Sequence, residues 1–159
     1  MDSDQVFSSY WQFANANTGC VCTASVEGWS FSLLHSFGGA PDGANPDFES
    51  LVFDPSGNAY GTTDFGGNCC SAGGGTVFKI APDGNESILY RFQGLTDGSL
   101  PYGGLVRDSL GNLYGTTYWS GTSGMGIVFK AMPSGIVARM ENVLHSFTGG
   151  PDGGFHTPV

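Results

Sequence analysis

The sequence predicts an all-β protein built from tandem, four-stranded antiparallel repeats. Backbone composition, turn-bounded strand runs and internal repetition predict it. Of the 159 residues, 27 are Gly and 8 are Pro, and a helix interior loses about 1 kcal/mol for each Gly and about 3 for each Pro relative to Ala. Hydrophobic residues still make up 40%, enough to bury a core, so the chain does not read as disordered. Charged residues are only 12%, against about 25% in an ordinary globular domain.

The repetition is explicit. Leu34-His35-Ser36-Phe37 returns as Leu89-Tyr90-Arg91-Phe92 and as Leu144-His145-Ser146-Phe147, each 55 residues on. Asp42-Gly43, Asp97-Gly98 and Asp152-Gly153 keep that interval. Leu51-Val52-Phe53-Asp54 through Asn58-Ala59-Tyr60-Gly61-Thr62-Thr63 matches Leu105-Val106-Arg107-Asp108 through Asn112-Leu113-Tyr114-Gly115-Thr116-Thr117. Gly75-Thr76-Val77-Phe78-Lys79 matches Gly126-Ile127-Val128-Phe129-Lys130, and Gly19-Cys20-Val21-Cys22-Thr23 is a degenerate first copy.

Each unit divides into four short strands in order. Leu-Val-x-Asp is the first and Asn-x-Tyr-Gly-Thr-Thr the second; Gly-x-Val-Phe-Lys is the third and x-Leu-x-x-Phe the fourth. These are β-branched and aromatic runs closed off by Gly, Asp, Asn and Pro, the residues that punctuate hairpins. Asp54-Pro55-Ser56-Gly57-Asn58 and Asp108-Ser109-Leu110-Gly111-Asn112 read as hairpin turns, with Gly supplying the positive φ that a side chain would resist. Pro82-Asp83-Gly84 turns the third strand into the fourth. Strands are expected near 20–24, 31–37, 51–54, 58–62, 75–80, 87–92, 105–108, 112–116, 126–131 and 142–147. Four antiparallel strands in this length match a β-propeller blade.

The pattern LHSFxGGxDGxxP, then LxxDxxGNLYGTT, then GGGTVFK, resembles the GloVer tandem repeat, a family found in arrays on exported bacterial proteins. The resemblance covers residues 19–153 and implies an extracellular or cell-surface β-repeat array. It carries no enzymatic activity onto any residue here. The chain departs from the pattern at Cys20 and Cys22, where later units have Thr76 and Phe78, at Phe65 and Trp119 in loops otherwise rich in Gly, and at Cys69-Cys70.

The repeat domain at 19–153 holds about two and a half units, flanked by segment 1–18 and tail 154–159. A closed propeller needs at least four blades. Two chains closing a ring, a head-to-tail filament, or a single-chain prism or trefoil of three sheets would each resolve the shortfall. Other copies of the chain are therefore the expected partner. In 1–18, Val6, Phe7, Tyr10, Trp11 and Ala14 fall at helical spacing, and a short edge-covering helix and an irregular strand pair both fit. The opening MDSDQVFSSYWQF has no basic stretch and no uninterrupted apolar run, so it does not read as a signal peptide.

The net charge of −9 repels phosphate backbones, which speaks against nucleic acid and against anionic membranes. No apolar run approaches the roughly 20 residues of a membrane-spanning helix. Among chemistry-bearing residues, His35 and His145 share one place in the fourth strand, and Asp42 and Asp97 one place in the following loop. These four are the weak catalytic candidates, although side chains in separate units need not meet. Asp54 and Asp108 are the calcium candidates, since Ca²⁺ selects carboxylates beside turn carbonyls; the competing reading is that each bonds its own turn. No other cofactor is expected. Cys20, Cys22, Cys69 and Cys70 admit disulfides, free thiols or a zinc site, with pairing between the two segments favoured because neighbouring-residue bridges are strained.

Phe65, Tyr118 and Trp119 are large rings in loops and the candidate binding residues, suited to a sugar face or a protein interface. Two functions follow. One is a non-enzymatic binding or self-assembling surface module, with glycan as a possible ligand. The other is a polysaccharide hydrolase or lyase built on an assembled ring, which requires converging carboxylates.

Overall fold

The computed structural model describes residues 20–23, 32–47, 50–67, 74–132 and 139–153. Among them it is all strand and turn, with no helix. Strands β1 (Cys20–Thr23) and β2 (Ser32–Ser36) form an antiparallel hairpin. A four-stranded antiparallel sheet follows, of β4 (Val52–Phe53), β5 (Ala59–Thr63), β7 (Thr76–Ile80) and β8 (Glu86–Arg91) in spatial order. A second such sheet holds β9 (Val106–Arg107), β10 (Leu113–Thr116), β11 (Ile127–Met132) and β12 (Arg139–Ser146). Two-residue strands β3 (Gly43–Ala44) and β6 (Phe65–Gly66) pair separately. The all-β repeat architecture expected from the sequence is what the chain adopts, as open sheets. The helix-or-strand expectation for 1–18 and the tail at 154–159 lie outside the described residues.

The units share one irregularity, and the last sheet adds a second slip at Lys130/Ala131. The ladder between third and fourth strands slips at Val21/Cys22, at Val77/Phe78 and at Val128/Phe129, the same repeat position each time. A bulge there sharpens the local twist. The Gly of Tyr-Gly-Thr stands opposite the Phe of Val-Phe-Lys: Gly61 pairs with Phe78 and Gly115 with Phe129. A Cβ on Gly61 would lie 2.6 Å from Phe78 Cζ and 2.8 Å from Leu51 Cδ2; on Gly115 it would lie 2.6 Å from Phe129 Cζ and 3.0 Å from Leu105 Cδ2. The motif requires Gly because the ring needs the space where a side chain would stand.

Two apolar clusters hold the units together, and they are homologous. In the first, Phe37, Ala59, Phe78 and Ile80 are buried, with Leu34, Leu51 and Ile88 packed on them. In the second, Phe92, Leu113, Phe129 and Ala131 occupy the same repeat positions, joined by Tyr60, Val77, Leu105 and Ile127, with Leu89 alongside. The Phe ending one unit meets the third-strand Phe of the next, at ring-centroid distances of 4.9 Å for Phe37–Phe78 and 5.2 Å for Phe92–Phe129. Ala59 faces Ile80 across the ladder where Leu113 faces Ala131. The large and small partners have exchanged strands and the volume is conserved, as close packing demands.

Candidate functional site

The loop after each fourth strand is built around its Asp. Asp42 Oδ2 accepts the Gly38 amide at 3.0 Å and Oδ1 the Gly43 amide at 2.7 Å. Asp97 Oδ2 accepts the Gln93 amide at 2.9 Å, and Asp152 Oδ2 the Thr148 amide at 3.0 Å. The ring seven residues earlier reaches the same carboxylate. His35 Nε2 lies 3.4 Å from Asp42 Oδ2, His145 Nε2 3.3 Å from Asp152 Oδ2, and Tyr90 donates to Asp97 Oδ2 at 2.5 Å. The four residues first singled out for catalysis are thus divided among three loops. Only His35 and Asp42 stand together.

At the first junction a third group enters. Glu86, opening β8 of the next unit, brings Oε2 to 3.8 Å from His35 Nε2 and shares a hydrogen bond with Asp42. One ligand atom from each of His35, Asp42 and Glu86 lies within 4.8 Å of the other two, and all three residues are half-buried. Burial, then the hydrogen bond to Asp42 and its negative charge, push the Glu86 carboxyl up to about 8. Burial also pushes Asp42 upward, but the amides of Gly38 and Gly43 and the Glu86 hydrogen bond outweigh it, leaving Asp42 below its usual value. Glu86 Oε1 is buried with no hydrogen-bond partner among the described residues. The sequence did carry a signal for Glu86, since Glu141 recurs 55 residues later, within the fourth strand of the next unit. An acidic residue repeated in a strand has no turn to serve.

Each of the two calcium candidates bonds its own turn. Asp54 Oδ1 accepts the Ser56 and Asn58 amides at 2.9 Å each, and Oδ2 accepts Asn58 Nδ2 at 2.7 Å and Tyr60 Oη at 3.0 Å. Asp108 makes the same four bonds with Leu110, Asn112 and Tyr114. Four acceptor positions are all that a carboxylate offers, and the turn takes them. Chiefly because of Asn58, the Asp54 carboxyl is held down to about 2; burial and then Asp54 push the Tyr60 phenol up to about 12.

Phe65 lies on β6 opposite Ala44 and is half-buried, so it stands in a paired strand and not in an open loop. Trp119 repeats this pairing as a single bridge to Ser99. Tyr118 and Trp119 are exposed, and Tyr102, not among the candidates that the sequence suggests, joins them. Ring centroids are 5.2 Å apart for Tyr102–Tyr118 and 5.4 Å for Tyr118–Trp119. The only sequence signal for Tyr102 is its place after Pro101, where the preceding unit has Asp47 after Pro46. Cys20 and Cys22 sit on the backbone of β1, opposite Ser36 and Leu33; Cys69 and Cys70 lie outside the described residues. No described helix is long and apolar enough to cross a membrane.

Repeated sheets, homologous junctions and a loop carboxylate renewed in every unit define a tandem β-repeat protein. The chain belongs to the Gloeobacter/Verrucomicrobia repeat family, whose model matches residues 3–158, as the motif resemblance led us to expect. No curated protein and no solved structure matches it.

Proposed function

We propose that the chain is a structural repeat module of the cell exterior that works by packing unit on unit, and that the open face of its last unit takes a second copy. The observation that carries this reading is the twice-made junction. Leu34 and Leu89 pack into the clusters between units. Leu144 holds the same repeat position and is 50% exposed, beside Val143 at 41%. A face that the chain covers twice with another of its own units is matched in shape and chemistry to one more. The acidic surface keeps that contact selective, because like-charged chains repel wherever apolar faces do not meet. Blade-like closure into a ring and an exported location belong to the same proposal.

Sedimentation velocity across the micromolar-to-millimolar range tests it. Wild type should associate with rising concentration, and Leu144→Asp should stay monomeric with an unchanged circular dichroism spectrum. A wild-type protein that remains monomeric throughout would overturn the proposal.

The exposed Tyr102–Tyr118–Trp119 cluster supports a second reading, a stacking platform for a sugar ring. Retention on insoluble polysaccharide, abolished by Trp119→Ala, would support it; equal retention of both proteins would remove it. The hydrolase alternative finds less support. Asp42 and Asp97 serve separate loops, and Asp42 and Glu86 touch through a hydrogen bond, closer than the roughly 5–9.5 Å that separates glycosidase carboxyls.

A further inference from the structure

We propose that His35, Asp42 and Glu86 form a binding site for a divalent transition metal ion of the zinc class, clamping the first hairpin to the second unit. The residues come from three places: β2, the loop after it, and the first residue of β8. The two separations from His35 are already close to those of a ligand set, and the ion would replace the proton that Asp42 and Glu86 share. Donors about 2.0–2.2 Å from a tetrahedral zinc ion lie roughly 3.3–3.6 Å apart. His35 Nε2 is 3.4 Å from Asp42 Oδ2 and 3.8 Å from Glu86 Oε2.

A second observation is independent of those distances. Glu86 Oε2 is the oxygen that faces His35, and its twin Oε1 is buried with no hydrogen-bond partner among the described residues; an ion or water beside the carboxylate is one of the explanations that such an oxygen calls for. Arg91, whose charge reaches Glu86, directs its Nε to the Pro41 carbonyl at 2.9 Å instead. One imidazole nitrogen with two carboxylates suits zinc, manganese or cobalt better than calcium or magnesium, which choose oxygen alone. Three protein ligands leave a fourth position for water.

The other repeats provide internal controls. At the second junction Tyr90 stands where His35 does and spends its hydroxyl on Asp97, so the imidazole ligand is missing. His145 and Asp152 rebuild the pair at 3.3 Å, but among the described residues no third metal-ligating side chain groups with them.

Co²⁺ titration of the full chain, followed by its visible absorption spectrum, tests the site. Wild type should take up an ion whose spectrum shows nitrogen and oxygen ligation. Glu86→Gln keeps a donor for Asp42 and so preserves the local hydrogen bond. It should weaken binding by at least the roughly tenfold that losing even an outer-shell partner costs. His35→Gln should do the same and His145→Gln should not. Absence of binding, equal affinity in Glu86→Gln and His35→Gln, or a spectrum dominated by thiolate charge transfer from the cysteines would each overturn the proposal. Sedimentation of the metal-free protein reports separately on the assembly reading, so neither failure can be mistaken for the other.

Discussion

Replacing Gly61 by Ala separates packing from backbone preference by the sign of its effect. Gly in a strand interior normally costs about 0.5–1 kcal/mol relative to Ala, so the substitution should stabilise an ordinary strand. Here the added methyl would stand 2.6 Å from Phe78 Cζ and 2.8 Å from Leu51 Cδ2, about 1 Å inside normal carbon contact. The Phe78 ring has little room to retreat, since it is 1% exposed and faces Phe37. Overpacking of this kind costs about 1–3 kcal/mol, which exceeds the backbone gain. Gly61→Ala should therefore be destabilising on balance, and Gly115→Ala should behave alike because Phe129 Cζ lies at the same 2.6 Å. Urea unfolding, with the midpoint read at constant slope, measures both. Pairing Gly61→Ala with Phe78→Leu should recover part of the loss. An Ala variant more stable than wild type would refute the reasoning that the Tyr-Gly-Thr motif exists to seat the ring.

Other predictions follow from the same geometry. Ala59→Leu should destabilise by about 1–3 kcal/mol through overpacking against Ile80, and adding Ile80→Ala should restore stability because it recreates the Leu113–Ala131 arrangement of the next unit; a double-mutant cycle by urea melts reads the coupling. Gly57 and Gly111 have φ of 81° and 90°, so Val at either should cost about 1–3 kcal/mol in thermal or chemical unfolding. Asp54 has a folded pKa of about 2, below its ordinary value of 3.8. Its contribution is thus complete above the unfolded pKa and is lost as pH falls through 4 towards 2. Asp54→Asn should lower stability at pH 7 and flatten the acid limb of stability measured against pH.

Much of this fold could be read along the chain because each repeat states its own turns. Asp-x-x-Gly-Asn and Pro-Asp-Gly place the reversals, and the ten expected strands coincide with ten observed ones to within a few residues. The β3–β6 pair escaped, being only two residues in each strand, too short for alternation to register. For that reason Phe65 read as a loop residue. The loop role of Asp42 and its ring partner recurs three times and was partly visible as a repeated Asp-Gly. Glu86 could not be placed beside them from spacing, because it meets them only when the second unit packs on the first. Leu34 and Leu144 are likewise indistinguishable in sequence context. They differ only in whether another unit follows them in space.

Successive units pack face to face through the Phe closing one fourth strand and the Phe of the next third strand. Nuclear Overhauser contacts between assigned ring protons test this directly. Cross-peaks are expected for Phe37–Phe78 and Phe92–Phe129, whose centroids lie 4.9 and 5.2 Å apart. Sheets that keep their internal ladders but show neither ring contact would contradict that packing.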